Sequence, residues 1–308
     1  MLDVALVVIG IAGLAYGGDL LVANASRLAL AFGLSPLVIG LTVVAFGTSA
    51  PELAASLVAA LRGAPEIALG NVLGSNIANV GLILGASALM SPLATSWGFV
   101  RREVVFMIAA SLLAALLLFD GVLGRLEAAV LVVGLTAFLL VTFRGDGGVP
   151  PRRARAGAER VPRWRPALLA LVGVLLLAVA AQALVTGAVG LAQVWGVSER
   201  VIGLTMVAIG TSLPELASSI AAALRRQGDM VLGNIVGSNV FNLLLVLGAA
   251  GLVQPLQAEA AVLRMDLLAM LAAALVVVPI AISGWRVGRR EGTFLLACYL
   301  AYVVLVLA

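Results

Sequence analysis

Apolar residues along this chain fall in long unbroken blocks rather than alternating with polar ones. Ten blocks approach or exceed the about 20 residues that cross a bilayer core. They cover roughly 4–23, 36–62, 67–90, 103–119, 126–143, 167–186, 199–225, 230–251, 266–284 and 293–307. Blocks of this length and texture predict helices. The second and seventh are long for simple spans, which predicts bent helices. Between the fifth and sixth lies the one sizeable hydrophilic stretch, "FRGDGGVPPRRARAGAERVPRWRP". It is rich in Arg, Pro and Gly, too short and polar for a folded domain, and reads as a flexible linker over 144–166. The N-terminus lacks the basic start of a cleavable signal and reads as a first membrane segment.

The pattern repeats. Residues 40–85, "GLTVVAFGTSAPELAASLVAALRGAPEIALGNVLGSNIANVGLILG", align without a gap to residues 203–248, "GLTMVAIGTSLPELASSIAAALRRQGDMVLGNIVGSNVFNLLLVLG". The two share 27 identities in 46 positions at a constant offset of 163. The offset still holds at Asp19/Gln182, Pro92/Pro255 and Arg101/Arg264. Each unit is therefore half the chain, 1–143 and 167–308, and carries five segments. Because five is odd, the second copy enters the membrane in the opposite direction. The expected architecture is an all-α polytopic membrane protein of ten transmembrane helices in two inverted five-helix repeats. Inverted repeats are a common construction of secondary transporters, with the site near the midplane between the copies; duplication of an inert scaffold is the plainer alternative.

Composition agrees with lipid. The 308 residues are 63% hydrophobic and 11% charged, with a mean hydropathy of +1.18, where a soluble domain carries about 25% charged residues. All 19 basic residues are arginines. When the segments alternate across the membrane, 15 arginines fall on the side of the central linker and 4 on the other. The positive-inside rule then puts the linker in the cytoplasm and both termini outside the cell membrane. One cysteine, Cys298, and no histidine exclude a disulfide framework, haem or zinc–histidine ligation and a histidine relay.

What lipid does not explain is "GTSAPE" at 47–52 and its twin "GTSLPE" at 210–215. Thr48 and Glu52 share a helix face with Ser49 beside them, as do Ser75 and Asn79 on the next segment. The second copy supplies Thr211, Ser212, Glu215, Ser238 and Asn242. Carboxylate, hydroxyl and amide oxygens are hard ligands, suited to sodium, calcium or magnesium. Pro51 and Pro214 cannot bond the carbonyls of Gly47 and Gly210, and the bend can expose neighbours such as Ala45, Thr48, Ala208 and Thr211. A carboxylate at the bilayer centre costs on the order of 2.5–3.5 kcal/mol on insertion scales. If Glu52 and Glu215 meet, they repel when both are ionised, and a proton or cation relieves the repulsion. A site of formal charge −2 suits one calcium or two to three sodium ions, and exclusive occupancy by alternative ions is the chemistry of an antiporter. The plainer reading makes each Glu a buried structural acid. Asp19 is expected to bond locally near the cytoplasmic face, with a role in proton access as the alternative. Glu103 and Asp266, next to arginines, are expected to form interfacial pairs.

The paired "GTSxPE" and "GNxxGSNxxN" blocks resemble the α-repeats of the sodium/calcium exchanger family, within the cation/calcium antiporter superfamily, and in length the short prokaryotic type. The resemblance implies that Glu52 and Glu215 coordinate calcium and sodium, and that Thr48 and Thr211 add hydroxyl and backbone oxygens. It also implies that Ala45 and Ala208 add carbonyls, and that Ser49, Ser75, Asn79, Ser212, Ser238 and Asn242 complete the site. Some relatives, notably potassium-dependent ones, carry Asp at the position of Asn242; Asn in both copies disfavours potassium co-transport and a third carboxylate. The implied function is antiport of sodium for calcium by alternating access, three for one and electrogenic, with segments 1 and 6 sliding against the rest. No cofactor, enzymatic activity or nucleic-acid partner is implied; the partners are calcium, sodium and membrane lipid. The alternatives are proton/calcium exchange on the same fold and, from another class, an intramembrane hydrolase or a non-transporting cation sensor.

Overall fold

The computed structural model describes residues 2–145, 162–194, 210–257 and 260–307. Most of the linker and the first half of the seventh segment, with Ala208, lie outside them. The described residues are overwhelmingly helical. In chain order they form α1 (Leu2–Phe32), α2 (Pro36–Thr48), α3 (Ala50–Leu61), α4 (Pro65–Met90), α5 (Val105–Leu117), α6 (Arg125–Gly145), α7 (Trp164–Val194), α8 (Leu213–Leu224), α9 (Gly228–Val253), α10 (Ala260–Ile282) and α11 (Arg289–Leu307). Six of these are long and apolar enough to cross a membrane, and the bent pair α2–α3 makes a seventh. The chain is a multi-pass membrane protein. α1 and α7, 31 residues each, run about 46 Å at 1.5 Å per residue, well beyond the about 30 Å hydrocarbon core, so their ends stand in the interface.

The sequence dictates where the helices break. α2 and α3 meet at an angle of 42°, and the break falls on Ser49, whose ψ of 3° leaves the helical range. Ser212 has the same conformation, with ψ again 3°. Both precede the proline that opens the next helix, Pro51 or Pro214, whose missing N–H ends the bonding ladder. α4 and α9 do not bend, but each widens into a π turn beginning at the matched residues Asn79 and Asn242. Such single π turns recur at functional sites.

Four two-residue strands tie the loops together. β1 (Leu93–Ala94) pairs antiparallel with β4 (Arg286–Val287), and β2 (Val122–Leu123) with β3 (Leu256–Gln257). β1 and β3 occupy matching places in the two sequence copies, as do β2 and β4, so each pairing is the other with the copies exchanged. The loops holding β1 and β4 are the arginine-rich ones of one face. There Trp97 and Trp285 meet edge to face at 6.4 Å, as aromatic residues do at a membrane interface.

The core lies between α2, α4, α8 and α9. α4 and α9 are the most enclosed helices, with roughly four-fifths of their apolar windows buried. α2 crosses α9 at contact distance: a Cβ on Gly40 would lie 2.6 Å from the Met230 carbonyl, and one on Gly237 2.6 Å from the Leu41 carbonyl. Close helix approach through small residues is how membrane helices associate without a hydrophobic drive.

Two of the minor acids differ from expectation. Asp19 does not bond locally; it forms a 2.6 Å ion pair with Arg225, 206 positions away, joining α1 to the end of α8. Asp266 does not pair with an arginine in any described contact; its Oδ1 accepts a 2.9 Å hydrogen bond from Tyr302, because the helix turns it toward α11. Glu103 pairs with Arg102 at 2.6 Å, as expected.

The α2–α9 crossing predicts that Gly237→Ala lowers the thermal unfolding temperature of the detergent-purified protein, since overpacking costs about 1–3 kcal/mol. Gly98→Ala, where an added Cβ meets only Ser96 Oγ at 3.7 Å, leaves it unchanged.

Candidate functional site

The two breaks bring the twin motifs face to face. Glu52 lies in the first turn of α3 and Glu215 in the first turn of α8, one residue after the proline in each, and they are 0% and 1% exposed. That position aims each backbone dipole's positive end at its own carboxylate.

The hydrogen bonds around them cross between the copies. Ser49 Oγ donates to Glu215 Oε1 at 3.1 Å, and Ser212 Oγ faces Glu52 Oε1 at 3.5 Å. Ser212 Oγ also lies 3.2 Å from Ser75 Oγ, which carries the contact to α4. Each break therefore places its serine on the other copy's carboxylate. Thr48, buried on α2, turns its hydroxyl toward the Val44 carbonyl at 3.1 Å and the Asn234 Oδ1 at 3.4 Å. Thr211 donates to Asn71 Oδ1 at 3.0 Å.

Several buried oxygens here make no hydrogen bond. They are Glu52 Oε2, Glu215 Oε2, Ser238 Oγ and the side-chain oxygens of Asn79 and Asn242, whose amide nitrogens are likewise unbonded. A buried polar atom without a partner costs about 1–3 kcal/mol, and five such oxygens in matched motifs fit a cation as the missing partner. Asn79 and Asn242 are 1% and 0% exposed, one turn beyond Ser75 and Ser238. Among the described residues no three acidic, histidine or cysteine side chains gather, so the donor set is two carboxylates plus neutral oxygens. Such a set suits hard, oxygen-seeking cations.

Of the twelve expected site residues, eleven are described. Ser49, Glu52, Ser75, Ser212 and Glu215 form one bonded group, and Thr48 and Thr211 flank it. Ser238, Asn79 and Asn242 are buried beside it on α4 and α9. Ala45 sits on α2 at the break, but its carbonyl accepts the Ser49 N–H at 2.9 Å, so one lone pair is already engaged. Two residues escaped the sequence reading. Asn71 Nδ2 donates to Ser56 Oγ at 2.9 Å and to the Glu52 carbonyl at 3.2 Å; Asn234 Nδ2 donates to Ser219 Oγ at 2.9 Å and Ser218 Oγ at 3.3 Å. Their signal was present: an asparagine at the same offset in both copies, inside the "GNxxGSN" block.

Comparison with known proteins places this geometry. The model of the family described as "Sodium/calcium exchanger protein" matches residues 2–144 and 166–308, one match to each sequence copy. The putative antiporter CaxA of Alkalimonas amylolytica is 39% identical over 305 residues, covering 96% of each chain. The sodium/calcium exchanger MaX1 of Methanosarcina acetivorans is 32% identical, covering 97% of each chain. Among solved structures, the sodium-calcium exchanger NCX_Mj superposes with a TM-score of 0.87 at 33% identity over 98% of both chains. The chain therefore belongs to the sodium/calcium exchanger family, whose members are secondary transporters and not enzymes.

Proposed function

We propose that the protein is a sodium-driven calcium antiporter that works by alternating access through ten transmembrane helices in two inverted five-helix repeats. In this reading the termini are extracytoplasmic and the 144–166 linker is cytoplasmic. The observation that carries the reading is the pair of fully buried glutamates, each bonded to the other copy's serine and each keeping one unbonded oxygen. Two carboxylates supply a formal charge of −2, which one calcium neutralises and which two or three sodium ions share with the neutral oxygens of Thr48, Thr211, Ser75, Ser238, Asn79 and Asn242. The twelve residues named from the sequence, Ala208 among them, form the ion-binding region. Calcium and sodium compete for the same oxygens, so binding one excludes the other, and that exclusion couples the two fluxes. A ratio of three sodium to one calcium moves one net positive charge per cycle.

Several features support the topology. The exchanged strand pairings put β1 with β4 and β2 with β3, which joins loops that the arginine count assigns to a common face. The family's structures of NCX_Mj soaked with sodium and with calcium or strontium supply a precedent for ion binding in this fold. Hydroxyl pairs beside each glutamate favour sodium as the driving ion, since a proton needs no neutral ligands.

Proteoliposomes loaded with sodium are expected to take up calcium faster than sodium-free ones, and a positive-inside potential should accelerate the uptake further. Uptake that ignores the sodium gradient and follows a pH gradient would identify a proton as the counter-ion. Glu52→Gln and Glu215→Gln are each expected to lower calcium exchange at least about tenfold, ~1.4 kcal/mol of lost ion binding, with unchanged elution on size exclusion. Wild-type flux in both would remove the glutamates from the site.

A further inference from the structure

We infer that Asn71 is a positioning residue that fixes the direction of the Thr211 hydroxyl proton, turning Thr211 into a cation ligand, and that Asn234 shares the same task for Thr48 with the Val44 carbonyl. This rests on the ion site proposed above. A hydroxyl carries one proton and two lone pairs. It can serve a cation only when its proton points elsewhere.

The two asparagines provide that elsewhere, one across each copy boundary. Asn71 on α4 belongs to the first copy, and its Oδ1 lies 3.0 Å from the Oγ1 of Thr211 in the second. Asn234 on α9 belongs to the second copy, and its Oδ1 lies 3.4 Å from the Oγ1 of Thr48 in the first, which also faces the Val44 carbonyl at 3.1 Å and the Ala45 carbonyl at 3.4 Å in its own helix. In both, the amide orientation is fixed from behind. Asn71 Nδ2 donates to Ser56 Oγ and to the Glu52 carbonyl. Asn234 Nδ2 donates to Ser219 Oγ and Ser218 Oγ, and Ser218 Oγ in turn donates to the Glu215 carbonyl at 3.0 Å. A flipped amide would aim its NH2 group at the threonine and lose these bonds. Each asparagine is 4% exposed or less.

The same bonds link the threonine of one copy to the glutamate backbone of the other. Asn71 reaches the Glu52 carbonyl directly. Asn234 reaches the Glu215 carbonyl through Ser218, whose counterpart in the first copy is Ala55 and has no hydroxyl. A shift of either glutamate's helix start is therefore felt at a threonine ligand contributed by the other copy.

The test is a double-mutant cycle read as ion protection of thermal unfolding in detergent, with sodium and calcium chloride titrated separately against choline chloride. This readout reports binding whichever ion drives transport, so its failure is separate from a failure of sodium-driven exchange. Asn71→Leu and Thr211→Val are each expected to weaken sodium protection about tenfold. Because both remove one arrangement, the double variant should be no weaker than about twice either single one. Asn234→Leu is expected to weaken sodium protection less than Asn71→Leu does, because the Val44 carbonyl still receives the Thr48 proton. If a leucine variant does not fold, Asn→Ala replaces it, where water can satisfy the serine behind. A multiplicative loss in the double variant, or sodium protection unchanged in the asparagine variants, would overturn the assignment. A drop in ion-free melting temperature with unchanged ion affinity would also overturn it, since that is what a purely structural asparagine gives.

Discussion

Two carboxylates held within reach of one another, away from water, are the constraint around which the protein is arranged. An isolated charge at the bilayer centre costs several kcal/mol, and two of like sign add their mutual repulsion. Everything near Glu52 and Glu215 answers that cost. Each sits at a helix start, where backbone N–H groups point toward it. Each has a serine from the opposite copy on one oxygen. The other oxygen of each is left without a protein partner. The protein's own donors thus offset only part of the charge it buries, and the remainder is what a cation would neutralise in the proposed site.

The helix breaks follow from the same constraint. The site proposed above draws oxygens from α2, α3, α4, α8 and α9, which straight helices would not aim at one point because side chains on a helix radiate from its axis. The proline breaks at Ser49 and Ser212 re-aim the chain, and the π turns at Asn79 and Asn242 rotate the face that follows. Irregular backbone at membrane depth is tolerated where protein covers it, and α4 and α9 are the best covered of the long apolar helices among the described residues. The tight α2–α9 crossing through Gly40 and Gly237 holds the break against that cover.

Much of this was legible in the sequence because the informative residues are polar against an apolar background and occur twice. The offset of 163 marked the glutamates, the serines and the π-turn asparagines, and proline marked the breaks. Asn71 and Asn234 shared that offset but were passed over, because an asparagine's role depends on what lies across from each end of its amide. That is a fact of tertiary packing. The partner of Asp19 was hidden for the same reason: nothing in the local sequence ties it to Arg225, 206 residues on. Asp266 found Tyr302 instead of an arginine because interfacial arginines reach outward to water, while the tyrosine is already packed beside it.

The Asp19–Arg225 pair has no possible counterpart in the other half. The residue matching Asp19 is Gln182, which bonds along its own helix to Thr186 at 3.3 Å, and the residue matching Arg225 is Arg62. Two identical halves exchanging roles would make the two end states of a transport cycle related by a two-fold rotation and equal in energy. An exposed ion pair contributes about 0–1 kcal/mol, and here that contribution exists at one end only. If the protein alternates as proposed, a pair that only one half can form is a source of unequal energy between the two orientations, set by a single side-chain difference outside the proposed ion site.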